Sequence, residues 1–408
     1  MRATSATATQ ADLEDLADWH RKVRSQFPQI VTSSQAYLDS SATSQKPQAV
    51  LDAVQHYLTT SNANPGRGSY QWANQSSALL EEGRRTVRQV LHDPAPQQST
   101  VTFVSGASEG LRRVARDWLA STLRDGDEIV VPVSDHQANV VAWHDVVAEL
   151  AAAGTRVVAH PMPYEPSGDY DTAALAQIVN RRTRFIAVTH VHHVYGVDMN
   201  VHRIREVVGP EPVLCLDAAQ SIGHLDLSVA DLDADFVVFS GHKAMALPGV
   251  GVVWSRNLRT SPWTCSGWAG SPNTAGVVSL TAALRWLDQT GLQAIDRWTT
   301  ALTALLTQAL SELASIEVVG CQTSLRLDSP VQRRQGIVTF RRRGIPAGDL
   351  GFYLESCGLL VRADHLCQAG AGPEPSVRVS THAYTSRDEI QRLIDVLTRL
   401  EKERPWSA

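Results

Sequence analysis

The chain has 408 residues, 43% of them hydrophobic, with 37 Lys and Arg against 42 Asp and Glu and a net charge of −5. That length and apolar content predict a large core shared between two domains. The slightly acidic balance gives no basic footprint for nucleic acid, and no stretch approaches the roughly 18 apolar residues of a membrane span, so neither partner class is favoured.

Residues 1–12 are rich in Ala, Thr and Ser and turn acidic at Glu14 and Asp15, without the charged-then-apolar order of a secretory signal. They read as a frayed arm leading into an amphipathic segment, 13–27. From there to about residue 255, short apolar runs alternate with helical patterns, the mark of an α/β sheet. The runs are 101–104, 128–131, 156–160, 185–190, 213–217, 236–240 and 250–254, most of them Val/Ile-rich and not alternating in polarity. Such runs suit strands covered on both faces. Between them, 79–92, 108–123, 139–153 and 202–208 repeat apolar residues every three or four positions and predict helices over the sheet.

Past Ser261 the texture becomes rich in Trp, Gly, Pro and Ser. Two long helices, 277–289 and 294–315, two short β-like runs, 337–340 and 377–380, and a final helix, 387–402, then predict a smaller α+β domain. The predicted division is an arm and helix at 1–30, a large domain at 31–260 and a small domain at 261–408. Cys215, Cys265, Cys321, Cys357 and Cys367 are scattered and odd in number. That suits reduced cytoplasmic thiols better than a disulfide frame or a zinc site.

Four strand ends carry the chemistry. Ser240-Gly241-His242-Lys243 places a lysine at a strand's C-terminal end, where open α/β sheets form ligand crevices; read alone, it is a solvated loop lysine. Asp217-Ala218-Ala219-Gln220 ends the preceding run. An aspartate there can pair with the protonated pyridine nitrogen of pyridoxal 5′-phosphate (PLP) and Gln220 with its phenolic oxygen, although Asp opening a helix is also an ordinary cap. In Ser105-Gly106-Ala107-Ser108 a strand turns into a helix whose first amides, at Ala107 and Ser108, can face a phosphate. Ser240 and His242 can add donors. His136, in Ser134-Asp135-His136-Gln137-Ala138-Asn139, can stack on a pyridine ring. Each signal is modest alone, and their shared position at strand ends joins them.

These residues resemble the class V aminotransferase group of fold-type I PLP enzymes and, within it, the cysteine desulfurases of the selenocysteine-lyase-like branch. The likeness runs from Tyr37-Leu38-Asp39-Ser40-Ser41-Ala42-Thr43-Ser44-Gln45-Lys46-Pro47 through Asn62-Ala63-Asn64, Arg67-Gly68 and Thr189-His190-Val191 to Arg378-Val379-Ser380 and Tyr384. It implies a mostly parallel seven-stranded sheet in a PLP-binding large domain. It also implies Lys243 as the Schiff-base lysine, Asp217 as the pyridinium partner and His136 as the stacking residue. Gln220 then contacts the phenolic oxygen, and Ala107, Ser108, Ser240 and His242 hold the phosphate. Ser271 stands where the family reaches the partner subunit's phosphate, which implies a homodimer with shared sites. Arg378 clamps the substrate carboxylate, a task suited to a planar guanidinium, with Arg362 and Asn64 as further substrate-side candidates. Arg362-Ala363-Asp364-His365-Leu366-Cys367 looks like the family's Arg-Thr-Gly-His-His-Cys segment, whose cysteine takes sulfur from the substrate.

The expected function is therefore a PLP-dependent cysteine desulfurase-like enzyme cleaving a C–S bond of cysteine or a cysteine derivative, with Cys367 as sulfur acceptor and a sulfur-accepting protein as a further partner. A cysteine-conjugate β-lyase, or an aminotransferase or epimerase acting on a larger amino acid, uses the same scaffold. His193 stands where the family has an asparagine. The segment between Trp254 and Ser271 is shortened and brings in Trp263 and Trp268, which predicts a pocket opened toward a larger substrate.

Overall fold

The computed structural model describes residues 10–66, 68–165, 167–258, 262–264, 268, 270–320, 334–370 and 374–402. Thirteen strands are described: β1 Ala36–Tyr37, β2 Thr100–Val104, β3 Glu128–Val131, β4 Val158–Pro161, β5 Thr183–Thr189, β6 Val213–Asp217, β7 Phe236–Ser240, β8 Gly251–Ser255, β9 Ile316–Val318, β10 Ile337–Arg342, β11 Leu359–Leu360, β12 Arg362–Asp364 and β13 Ser376–Ser380. Seven form one sheet in the order β2-β8-β7-β6-β5-β3-β4. Neighbours pair parallel from β7 to β4, while β8 lies antiparallel to both β2 and β7. This is the mostly parallel seven-stranded sheet expected.

The two-residue period of a strand sends alternate side chains to opposite faces, and both faces are dry. Phe103, Val130, Ile186, Leu216, Val237 and Phe239 join one apolar cluster. Their neighbours Val104, Ile129, Phe185, Cys215, Phe236 and Val238 join the other. The first face is covered by helices Gln48–Thr60, Gln71–Val90 and Thr274–Thr290. The second is covered by Ala107–Arg113 with its continuation and by Ala138–Ala152. That is why the central strands read as unbroken Val/Ile runs. The run at 156–160 is the exception: β4 is one of the sheet's two edges, and unlike β2 at the other edge it has none of its four residues buried. The helix expected at 108–123 contains a π-helical stretch, Val114–Leu119, which widens it midway.

A second sheet, β12-β13-β10-β9, is covered by helices Leu292–Ser311, Ala347–Ser356 and Arg387–Lys402. Leu13, Leu16, Ala36 and Leu38 belong to its core, and β1 pairs parallel with β11. The front of the chain is thus built into the C-terminal layer. Among the described residues no helix is long and apolar enough to cross a membrane.

Candidate active site

Because β2, β3, β5, β6 and β7 run the same way, their last residues, Val104, Val131, Thr189, Asp217 and Ser240, share one edge of the sheet. A cavity of about 200 Å³ opens there. Its walls include Ser41, Ala107, Ser108, His136, Thr189, His193, Asp217, Gln220, Ser240, His242 and Lys243, with Arg362, Leu366 and Arg378 added from the second layer.

Lys243 closes a 3₁₀ turn, Gly241–Lys243, directly after β7. Burial drives its amine down to about 8, against the opposing pull of Asp217. Asp217 is 5% exposed. Burial raises its pKa, while the Ala219 amide and the Lys243 charge act the other way. Its Oδ1 accepts from Ala219 N at 2.9 Å, an Asx turn and not a helix cap, since no helix is described between β6 and β7. Gln220 Nε2 donates to Ser41 O at 3.1 Å.

At the end of the cavity expected to take a phosphate, the Ala107 amide expected to face a ligand already donates to Ser240 Oγ at 2.8 Å. Ser108 and the Ser240 hydroxyl hydrogen are left to meet an anion. The turn is tight: a Cβ on Gly251 would stand 2.6 Å from Gly106 Cα, and one on Gly106 would stand 3.3 Å from Ser240 Oγ. His242 lines the same end and is held at about 4 by burial and by the Lys243 charge.

His136 is set by its own loop, its Nδ1 accepting from Ala138 N at 3.2 Å. Burial, then the charges of Lys243, Arg362 and Arg378, hold it at about 4, so it is a neutral ring at physiological pH. It meets His193 edge to face at 5.2 Å. Behind it, the Asp135 carboxylate is wholly buried and accepts from Tyr164 Oη at 2.7 Å, Tyr170 Oη at 3.0 Å and Asn139 Nδ2 at 3.1 Å. Tyr170 Oη in turn accepts from Thr189 N at 2.9 Å. One buried acid thereby braces two walls of the cavity.

Arg378, on β13 and 2% exposed, donates through Nη2 to Asp39 Oδ1 at 3.1 Å and through Nη1 to His193 O at 3.2 Å. Arg362 pairs with Asp364 at 2.9 Å and donates to Cys367 Sγ at 3.2 Å. Cys367 is half-buried and is not part of the cavity wall, whereas its neighbour Leu366 is. Asn64 and Ser271 are exposed and stand outside the wall. Trp263 and Trp268, expected beside the pocket, are not among the residues of its wall. Trp263 is 5% exposed beneath the sheet, with Nε1 donating to Thr102 Oγ1 at 2.9 Å, and Trp268 packs on Phe103 at 6.2 Å; an indole that can satisfy its N–H inside the core has no reason to line a wet cavity. Arg67, Cys265 and Cys321 lie outside the described residues. Ser41, Asp39, Asp135 and Thr189 carried no role in the sequence reading. Thr189 ends a strand as Asp217 does, and that signal could have found it.

The cavity fits PLP. Three of its wall residues, Ser41, His193 and Arg378, keep a buried polar atom without a protein partner: Oγ, Nε2 and Nε respectively. Such atoms call for a polar ligand, and the lysine, aspartate and neutral histidine match an aldehyde, a pyridine nitrogen and a ring face.

The family model for aminotransferase class-V matches residues 36–393. A probable cysteine desulfurase from Vibrio cholerae is 33% identical over 404 residues, spanning 91% of this chain and 96% of that protein. A cysteine desulfurase from Pectobacterium atrosepticum is 30% identical over 416 residues, spanning 93% and 98%. Among solved structures, the apo cysteine desulfurase from Thermococcus onnurineus has a TM-score of 0.81 at 26% identity, covering 94% of this chain and 98% of that one. A cysteine desulfurase from Escherichia coli scores 0.79 at 27% identity over the same shares. With a match of that extent laid over this fold and this cavity, the chain belongs to the aminotransferase class-V family.

Proposed function

We propose that the chain is a PLP-dependent cysteine desulfurase-like enzyme that removes sulfur from cysteine or a cysteine derivative. The observation that carries this is the meeting of Lys243, Asp217, His136 and Arg378 around one cavity, with the Arg362–Cys367 pair at its rim.

Bound there, PLP supplies an aldehyde for the Lys243 amine and a ring that draws electrons from the substrate Cα. The chain's own residues do the rest. Arg378 has an unpartnered Nε for an incoming carboxylate and is held in place by Asp39. Lys243, at about 8, is partly uncharged near neutral pH and can take up a proton at Nζ. Asp217 offers a buried negative charge to a cationic ring nitrogen, and His136 offers a neutral ring face. Cys367 Sγ then attacks the substrate sulfur. The Cβ–S bond breaks with its electron pair going to Cβ, Cβ takes a proton, the proton held at Lys243 Nζ returns to Cα, alanine leaves and the sulfur stays on Cys367 as a persulfide.

The same reading takes the enzyme as a cytoplasmic homodimer that passes sulfur to an acceptor protein. Its domain boundaries shift from the expected 1–30, 31–260 and 261–408, because Ala36 and Leu38 join the C-terminal core and Thr274–Thr290 covers the large sheet. The exposed Leu51, Leu58, Tyr70 and Trp72 on neighbouring segments support a subunit contact. A β-elimination giving pyruvate is favoured by one observation: the thiol is outside the cavity wall. The test is product analysis with cysteine, cystine, selenocysteine and S-substituted cysteines. Cys367→Ser should keep the visible cofactor band and lose sulfur transfer, and Lys243→Ala should lose the band itself. Pyruvate in place of alanine, or full sulfur release from Cys367→Ser, would reject the desulfurase assignment.

A further inference from the structure

We propose that the Gln368 side chain is the clasp that positions the Cys367 thiol, tying its loop at once to the segment of His136 and to that of His193. The inference rests on the reading of Cys367 as sulfur acceptor and names the residue that sets where that sulfur stands.

The Cys367 loop has bonds of its own, Leu366 N to Asp364 Oδ1 at 2.5 Å and Gln368 N to His365 O at 3.2 Å, and is otherwise held from outside. Leu366 has φ 55° and Cys367 φ 56°, two successive non-glycine residues in the left-handed region, an arrangement that persists only where the surroundings impose it. The imposing contacts come from the 134–137 segment and from Tyr195. Gln137 N donates to Cys367 O at 3.0 Å and Ala369 N to Asp135 O at 2.9 Å. His136 and Gln368 form an antiparallel bridge.

The side chain of Gln368 adds the link that the backbone cannot. Its Nε2 donates to Ser134 Oγ at 2.8 Å and to Tyr195 Oη at 2.9 Å. Ser134 is two residues before His136, and Tyr195 is two residues after His193; both histidines line the cavity. Both anchors are themselves fixed. Ser134 O is within 3.2 Å of His192 Nε2, Tyr195 stacks on His192 at 4.1 Å, and Tyr195 O accepts from Arg334 at 2.7 Å. One amide therefore bridges two rigid shoulders of the cavity and leaves the thiol at a set place against Arg362. Gln368 is a positioning residue: it pairs with the backbone of His136 but is not itself one of the residues lining the cavity.

The experiment compares wild type, Gln368→Ala and Gln368→Glu in the PLP-loaded protein. Glu keeps the length and lets both hydroxyls donate to it. The first readout is the rate at which iodoacetamide alkylates Cys367 relative to the half-buried Cys357 in the same molecule, resolved by peptide mass. Gln368→Ala should raise the Cys367 to Cys357 ratio about tenfold, the scale of two lost neutral hydrogen bonds, and Gln368→Glu should restore it. The second readout is alanine formation, for which Gln368→Ala should lower kcat about tenfold at nearly constant KM. An unchanged ratio, or a rise shared equally by both cysteines, overturns the clasp. Full sulfur release from Cys367→Ser overturns the functional reading instead, and the ratio still reports on the clasp.

Discussion

The seam between the two layers carries a buried pair of imidazoles whose effect on stability follows from their surroundings. His224 lies on the segment that follows Asp217, and His382 follows the strand of Arg378. Their rings are 4.1 Å apart, and His224 Nδ1 and His382 Nε2 have no partner. His382 Nδ1 accepts from Ala383 N at 2.8 Å, so its proton sits on Nε2 and the ring is neutral. Burial holds His224 at about 4 against an ordinary 6.5. The folded value lies below the unfolded one, so the unfolded chain takes the proton first. The contribution of His224 is whole above pH 6.5 and is lost as pH falls toward 4. The difference of about 2.5 units is worth about 3 kcal/mol, of which about 2 kcal/mol is gone by about pH 5. Urea denaturation of wild type and His224→Gln at about pH 7.5 and about pH 5 tests this, with burial keeping the neighbouring His382 well below its ordinary value in its own right. The stability gap between the two should shrink by about 2 kcal/mol at the lower pH. A gap equal at both pH values would refute the assignment of a neutral, desolvated imidazole.

Gly251→Ala forces a Cβ to within 2.6 Å of Gly106 Cα and 2.7 Å of Phe239 O. Backbone on both sides cannot step aside, so urea denaturation should show a loss of about 1–3 kcal/mol, whereas Gly348→Ala, with nothing within 4 Å of the added carbon, should be neutral or slightly stabilising. Arg378→Lys gives up the planar fork and its contact with Asp39, and the KM for the amino-acid substrate should rise about tenfold or more with a smaller change in kcat. An unchanged KM would remove Arg378 from carboxylate binding.

Much of this was legible because physics repeats itself locally. Val213–Asp217 and Phe236–Ser240 are unbroken apolar runs since both faces of their sheet are covered, and the polar residues ending them had to stand at the sheet's edge. What escaped was long-range. The Asp39–Arg378 contact joins residues 339 positions apart, and no periodicity encodes it. β1 and β11 are two residues each, too short for any pattern. Val158–Pro161 looked like its neighbours, although strand order, which the sequence does not carry, put it at the edge. Trp263 and Trp268 were read from an unusual loop length, but their burial is decided by gaps beside Thr102 and Phe103 that only packing reveals.

The order in which a ribosome delivers this chain gives the entanglement of its two ends a cost in time. Every strand of the seven-stranded sheet has been synthesised once residue 255 is made, and domains form as units while synthesis proceeds at roughly 5–20 residues per second. Leu13, Leu16, Ala36 and Leu38 must wait for Leu359, Val379 and Leu393, their companions in one core. Until the last of these is made, Leu13, Leu16, Ala36 and Leu38 have no finished core to enter, and chaperone contact should concentrate around them.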